Sequence, residues 1–123
     1  MKSKLEVALE HPVMFLSDPY ADDTASLDIG DKLIAATDSC IAFRVRPYFE
    51  GGANVTVSSE KHHSLKGPSY QGTMDSRSGV VSLSDSGRFN YCMFPIDGKK
   101  ADFEIWILDD ESVWIRVNPL IEY

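Results

Sequence analysis

Apolar and polar positions alternate most clearly between residues 86 and 118. Three short apolar runs fill this stretch, separated by the pair Asp97-Gly98 and by the polar cluster at 109–112. Side chains of a strand point to opposite faces with a period of two, so the alternation predicts antiparallel strands with one dry face. Asp-Gly is a preferred turn pair because both residues tolerate positive φ. We therefore predict a three-stranded meander, whose apolar face needs a second layer.

Further strands are predicted in the rest of the chain. Residues 5–9 alternate, and the apolar run 13–16 is either a second strand or the first one continued past a bulge. Residues 40–46 and 54–58 are predicted to pair as a hairpin across a flexible turn at 50–53. A further strand is predicted at 79–83.

Two polar segments interrupt this pattern. Residues 17–31 are acidic and predict a long loop, with room for a strand at 25–29, and residues 59–78 predict a second long loop. Residues 32–36 are compatible with a helical turn but are too few to decide. Seven to nine short strands with little helix predict an all-β fold, a two-layer antiparallel β-sandwich formed by residues 1–123 as a single domain.

Composition and charge narrow the function. The 123 residues, 43% of them hydrophobic, suffice for a globular domain without metal or disulfide staples. Acidic residues outnumber basic ones by 19 to 12, for a formal charge of -7. Nucleic acid and anionic membranes attract basic surfaces, so we expect neither as a partner. An acidic surface serves solubility alone in many proteins, or it attracts a basic protein.

The cysteines and the first residues of the chain indicate in which cellular compartment the protein is expected. Cys40 and Cys92 fall in predicted strands without C-x-x-C spacing, so we expect two buried thiols. Residues 1–6 pass directly into alternation without an apolar signal segment, and no apolar run reaches the length of a membrane span. We expect a cytoplasmic protein with reduced thiols.

The sequence contains no recognised motif for catalysis or for cofactor binding. His62 and His63 are adjacent, His11 is distant, and no metal-ligand spacing surrounds them, so we expect a solvated pair. No glycine-rich phosphate loop precedes a helix. We predict a protein that is not an enzyme and that has neither cofactor nor metal.

The acidic loop suggests an alternative function. Carboxylates crowd it at Asp18, Asp22, Asp23, Asp28 and Asp31. Acid-rich loops of a β-sandwich can hold calcium, although the spacing here is not that of an EF-hand. The alternative is therefore a calcium- or ligand-binding module.

The hairpin tip at 109–111 is the main candidate for a binding site. Asp109, Asp110 and Glu111 are consecutive carboxylates, and Trp106 and Trp114 flank them on the face opposite the core. Acids beside large aromatic rings are typical of a binding site for a basic protein. The alternative is that the tryptophans fill the second layer or cover a sheet edge.

The sequence resembles a small bacterial family, the competence-J-type nuclease inhibitors. The resemblance rests on residues 34–43, where a small apolar run and Asp38 lead into Ile41-Ala42-Phe43. It rests also on Phe94-Pro95, Gly98 and 103–106, and the closing strand at 113–117 fits in position and length. Ser39 stands where the family would have glycine, and 59–78 is an insertion.

The resemblance implies an acidic inhibitor of a nuclease, or an immunity protein that neutralises a nuclease toxin. The partner would be a basic protein. From the charge pattern we expect the contact at the 109–111 tip with Trp106 or Trp114, and Asp22 and Asp23 are further candidates.

Overall fold

Ten strands and one short 3₁₀ helix make up the regular structure of the described residues. The computed structural model describes residues 2–20, 27, 29–63, 67–85, 89–109 and 112–121. The 3₁₀ helix is Tyr48–Glu50. None of the described helices has the length and apolar character needed to span a membrane. The strands are β1 (Lys2–Val7), β2 (Val13–Ser17), β3 (Ile34–Ala36), β4 (Cys40–Arg44), β5 (Ala53–Ser58), β6 (Tyr70–Asp75), β7 (Val80–Asp85), β8 (Asn90–Pro95), β9 (Lys100–Asp109) and β10 (Ser112–Asn118).

The strands form two sheets of five. Sheet I has the order β1-β5-β10-β9-β6, and sheet II has the order β3-β4-β2-β7-β8. All neighbours are antiparallel except β5 and β10, which run parallel. The all-β sandwich predicted from the alternation is confirmed, with ten strands within the described ranges instead of seven to nine.

The core lies between the inward faces of the two sheets. Phe103, Ile105 and Ile115 of sheet I are fully buried, and so are Phe43 and Phe94 of sheet II. Each belongs to the apolar half of an alternating strand, so hydrophobic burial of that half selects the inward face.

The predicted hairpin of 40–46 with 54–58 is wrong. Strand β4 pairs with β2 and β3 in sheet II, whereas β5 pairs with β1 and β10 in sheet I. The link at 45–52 therefore crosses from one layer to the other. Alternation identifies a strand's dry face, but both layers present a dry face to the same core, so it does not identify the partner.

The predicted three-stranded meander is half right. Strands β9 and β10 form an antiparallel hairpin with Ile105 opposite Ile115. Strand β8 instead pairs with β7 in sheet II, and the chain changes layer between Pro95 and Lys100. Gly98 has a φ of 99°, which suits this connection.

The other segments also differ from expectation. Strand β6 lies inside the loop predicted at 59–78, and β3 occupies 34–36, where a helical turn was the alternative. Strands β1 and β2 belong to different sheets, so 13–16 is a separate strand. Leu27 and Ile29 lie outside the strands, while residues 25, 26 and 28 of the predicted 25–29 strand lie outside the described residues.

Strand directions define two ends of the sandwich. The links β1–β2, β4–β5, β7–β8 and β9–β10 leave from one end, which we call the aromatic end for the side chains described below. The links β3–β4, β6–β7 and β8–β9 leave from the opposite end, which we call the closed end.

Candidate functional site

Trp106 and Trp114 lie directly opposite each other on β9 and β10, on the outward face of sheet I. The prediction that they face away from the core is confirmed, because neither belongs to the core cluster. Their side chains are nevertheless buried, with exposed fractions of 5% and 9%. Something other than the second sheet must therefore cover them.

The chain itself provides this cover through residues 59–63. The Trp114 indole Nε1 donates a hydrogen bond to the Glu60 carbonyl at 2.8 Å. The His62 ring lies edge-on to Trp114, with centroids 5.2 Å apart, and 6.4 Å from the Trp106 ring. This segment covers the rings only in part, because Trp114 also lines a surface groove with Leu108 and Ser112. Contact of the tryptophans with a partner stays a prediction.

Arg116 connects the same segment to the sheet. Its Nη1 lies 2.5 Å from Glu104 Oε1 on the neighbouring strand, and its Nε donates to the Ser59 carbonyl at 3.2 Å. Because a charged donor forms a stronger hydrogen bond than a neutral one, the bond to Ser59 helps to hold 59–63 against the sheet. His63 is exposed but His62 is half-buried, so the expected solvated pair is wrong for His62.

The acidic tip is located only through its flanking strands. Strand β9 ends at Asp109 and β10 begins at Ser112, so the tip belongs to the aromatic end. Asp110 and Glu111 lie outside the described residues, as do Asp22 and Asp23. The role of these acids stays a prediction.

The 3₁₀ helix of the β4–β5 link presents two large rings to solvent at this end. Tyr48 is 52% exposed and Phe49 is 69% exposed, and their rings meet edge to face with centroids 5.6 Å apart. Phe89, at the β7–β8 link, is 63% exposed. Large exposed apolar groups that share a region are typical of interaction sites.

Backbone hydrogen bonds fix the position of the two rings. Tyr48 N donates to the Leu9 carbonyl at 2.9 Å, and Gly51 and Gly52 N donate to Tyr48 and Pro47 carbonyls at 3.0 Å each. Gly52 has a φ of 73°, and a Cβ there would lie 2.4 Å from the Val7 carbonyl oxygen. Only glycine fits this close approach between the β4–β5 link and β1.

Charged groups and two grooves lie at the same end as the rings, along β1 and the β4–β5 link. Glu10 and Glu50 are exposed, whereas Arg46 Nε donates to the Gly52 carbonyl at 2.7 Å. The grooves have volumes of about 390 and 520 Å³, and Glu6 and Asn54 line both of them. The larger groove reaches Leu108 and Ser112, beside the tip. The rings, the grooves and the tip thus share one end of the molecule.

At the closed end Asp18 is buried and hydrogen-bonded. Its Oδ1 accepts from Tyr20 N at 3.0 Å and from Ser78 Oγ at 2.8 Å, and its Oδ2 accepts from Ser78 N at 3.2 Å. Burial acts to raise the pKa of Asp18, but these hydrogen bonds outweigh it and hold the pKa below its ordinary value. This carboxylate links the start of the acidic loop to the β6–β7 turn.

The calcium alternative gains no support from the part of the chain that the structure describes. No group of three or more His, Cys, Asp or Glu residues there could hold a metal ion. Asp18 already accepts three hydrogen bonds, and Asp22, Asp23 and Asp28 lie outside the described residues.

Both cysteines are free thiols in strands, as expected. Cys40 is buried, but Cys92 is only half-buried, so the expectation of two buried thiols holds for one. Burial raises the pKa of the Cys92 thiol.

Sequence reasoning missed Tyr48, Phe49 and Phe89. A signal for the first two was present, because the run Tyr-Phe-Glu stands between Pro47 and Gly51-Gly52. Proline before and paired glycines after a short run predict a tight surface turn, and aromatic side chains on such a turn have little room to be buried.

The comparisons with known proteins show a likeness to a solved structure. No protein-family profile and no curated protein sequence matches the chain. A similar solved structure is the crystal structure of ComJ, inhibitor of the DNA degrading activity of NucA, from Bacillus subtilis. It superposes with a TM-score of 0.68 over 94% of this chain and 93% of that one, at 14% identity. The resemblance noted in the sequence is thus confirmed in the fold.

Proposed function

We propose that this protein inhibits a nuclease by binding it, as an inhibitor or as an immunity protein against a nuclease toxin. The observation that supports the proposal is the fold shared with ComJ over nearly the full length of both chains. The inhibitor acts in the cytoplasm, catalyses no reaction itself and needs no cofactor.

Charge makes a nuclease a fitting partner. An enzyme that binds DNA phosphates needs basic side chains in its cleft, and this chain has a formal charge of -7. Opposite charges accelerate the encounter of two proteins and favour the correct orientation. The inhibitor would thus occupy the cleft in place of DNA.

The contact includes the acidic tip, with Asp109, Asp110 and Glu111 as the carboxylates that face the basic cleft. Asp22 and Asp23 are two further carboxylates that add to the attraction. Trp106 or Trp114 adds to this contact. Trp114 lines the larger groove beside the tip, whereas the Trp106 ring lies next to His62 of the covering segment.

The test is a titration of nuclease activity. DNA degradation by NucA, and by the product of the gene adjacent to this one, is followed as the protein is added. We expect loss of degradation to saturate at a fixed stoichiometry with one of the two nucleases. If both keep full activity in the presence of excess protein, the proposed function is wrong.

Charge-matched variants then test the site. The triple variant Asp109→Asn/Asp110→Asn/Glu111→Gln removes three charges at the aromatic end. The control, Asp75→Asn/Asp97→Asn/Asp102→Asn, removes three exposed charges from the other half of the sandwich. We expect at least a tenfold weaker inhibition from the first variant only. Equal effects of both would assign the attraction to net charge and not to the tip.

A further inference from the structure

The exposed rings of the β4–β5 link are not explained by the fold. Phe49 is 69% exposed, although a side chain of this size would contribute substantially to stability if buried. Tyr48 shares the same short helix and is half-exposed. Two adjacent large rings that remain in solvent indicate a surface that is buried against something else.

The backbone that carries the rings is also held in place by hydrogen bonds within this chain. The hydrogen bonds of Tyr48 N, Gly51 N and Gly52 N fix the backbone, and Arg46 bonds the Gly52 carbonyl from the side. Binding through a rigid loop loses less conformational entropy than binding through a flexible one. A fixed pair of aromatic rings is therefore suited to act as an anchor, the role that Tyr and other aromatic residues often play at interfaces.

The charges around the rings specify the chemistry of the occupant. Glu50 follows Phe49 directly, and Glu10 follows Leu9, whose carbonyl accepts from Tyr48 N. Both acids are exposed. Lys4, which lines the larger groove, and His11, which follows Glu10, are exposed as well.

We propose that Tyr48 and Phe49 are the anchor of the partner-binding surface, inserting into an apolar pocket on a basic protein, with Glu10 and Glu50 on the rim. The grooves lined by Glu6 and Asn54 continue this surface from Gly51 and Gly52 to Leu108 and Ser112. The identification of the partner as a nuclease rests on the proposed function, whereas the anchor rests on the geometry of the β4–β5 link.

Other occupants fit the charges less well. A second copy of this chain docked by the same end would bring Glu10 and Glu50 against their own kind. Nucleic acid and anionic lipid surfaces would meet the same repulsion. A basic protein surface with an apolar centre matches both the rings and their acidic rim.

The first test compares two sets of exposed tyrosine and phenylalanine positions. The variant Tyr48→Ser/Phe49→Ser removes the anchor, and Tyr20→Ser removes a 72% exposed tyrosine next to Asp18, at the closed end. Binding is measured by calorimetry against whichever of NucA and the adjacent gene's product binds the wild-type protein. We expect at least about a 30-fold rise in Kd for the double variant and less than about twofold for the control. A Kd unchanged by the double variant would overturn the proposal.

A second variant tests the rim separately. Glu10→Lys/Glu50→Lys should slow association several-fold, and the effect should shrink as salt is added, because rim charges act on the encounter rate. The matched control Asp97→Lys/Asp102→Lys reverses two exposed charges away from this end. Equal slowing by both variants would contradict an acidic rim beside the anchor.

A third measurement separates failure of the anchor from failure of the nuclease assignment. If the wild-type protein binds neither nuclease, a photo-crosslinking phenylalanine analogue is placed at 49 or at 20 and activated in cells of the source organism. Crosslinks to one basic protein from position 49 only, lost in the Glu10→Lys/Glu50→Lys background, would support the anchor while rejecting the nuclease. Absence of such a position-specific product would overturn the anchor as well.

Discussion

The two ends of the sandwich use the same kinds of side chain in opposite ways. At the closed end the Asp18 carboxylate turns inward, is 4% exposed and accepts hydrogen bonds from Tyr20 and Ser78. At the aromatic end Glu10 and Glu50 face solvent beside the exposed rings of Tyr48 and Phe49. The carboxylate at the closed end is buried and hydrogen-bonded within the fold, whereas those at the aromatic end are exposed on the surface.

The loops of the closed end also bind one another. Ile96 N donates to the Gly79 carbonyl at 2.9 Å, and Ser76 N donates to the Lys99 carbonyl at 2.8 Å, so the β6–β7 and β8–β9 links hold each other. At the aromatic end, backbone hydrogen bonds position the 3₁₀ helix, and its aromatic side chains are exposed to solvent. We infer that the closed end stabilises the sandwich and that the aromatic end presents a binding surface.

Apart from the buried-core control Phe43→Ala discussed last, the largest loss of stability is expected from Gly52→Ala, which disturbs the support of the anchor. The new Cβ would meet the Val7 carbonyl oxygen at 2.4 Å, and the φ of 73° disfavours any other residue. Strain and a backbone clash together should lower the free energy of unfolding by about 3 kcal/mol or more. Urea denaturation at pH 7 measures this loss.

Gly98→Ala is the matched control for this change. Gly98 has a φ of 99°, but a Cβ there would have nothing within 4 Å. Its substitution should show only the conformational part, about 1–2 kcal/mol. Equal losses of stability in the two alanine variants would mean that the backbone between the β4–β5 link and β1 shifts to accommodate the new Cβ.

The next largest effect is expected from Asp18→Asn at the closed end. The amide places an NH₂ group where the carboxylate accepts hydrogen bonds, and hydrogen bonds to a charged group contribute roughly 1.5–3 kcal/mol. We expect a loss within that range at pH 7, measured by urea denaturation. Asp97→Asn, at an exposed position near the same end, should change stability by less than about 0.5 kcal/mol.

The pH dependence of the Asp18 effect follows from its pKa. Because hydrogen bonds hold the folded-state pKa below the unfolded value of about 3.9, the stabilisation is fully present above that value. It is lost as the pH falls through the folded pKa, when the folded carboxylate becomes protonated. The stability gap between wild type and Asp18→Asn should therefore narrow below about pH 4. A gap that stayed constant down to pH 3 would contradict the role of the charge.

Local alternation located most strands because it depends only on which side chains face the core. It did not pair them, because pairing depends on where each link crosses between layers, as at 45–52 and between β8 and β9. Strand β6 was missed because Tyr70, Gly72 and Met74 include a glycine on the inward face, which weakens the apolar signal.

The candidate site was predictable only in part for a related reason. Alternation placed Trp106 and Trp114 on the outer face, but their burial depends on Glu60, His62 and Ser59, which are distant in sequence. Sequence alone cannot show that a remote segment covers a sheet. The exposed rings, by contrast, had a local signal in the proline and glycines that bracket them.

Apart from the control Asp97→Asn, the smallest loss of stability is expected from the Tyr48→Ser/Phe49→Ser variant, which tests the contrast between the two ends most directly. Phe49 is 69% exposed, so removing its ring returns little buried apolar area to water, and the unfolding free energy should fall by about 1 kcal/mol or less. Phe43, which is fully buried in β4, provides the contrast, since Phe43→Ala should lose about 3–5 kcal/mol. Denaturation curves of the two variants measure both values.

A loss above about 2 kcal/mol in the double variant would mean that the rings pack as part of the fold, and the aromatic end would then resemble the closed end. A small loss combined with weakened binding would mean that these rings stabilise the complex and not the sandwich.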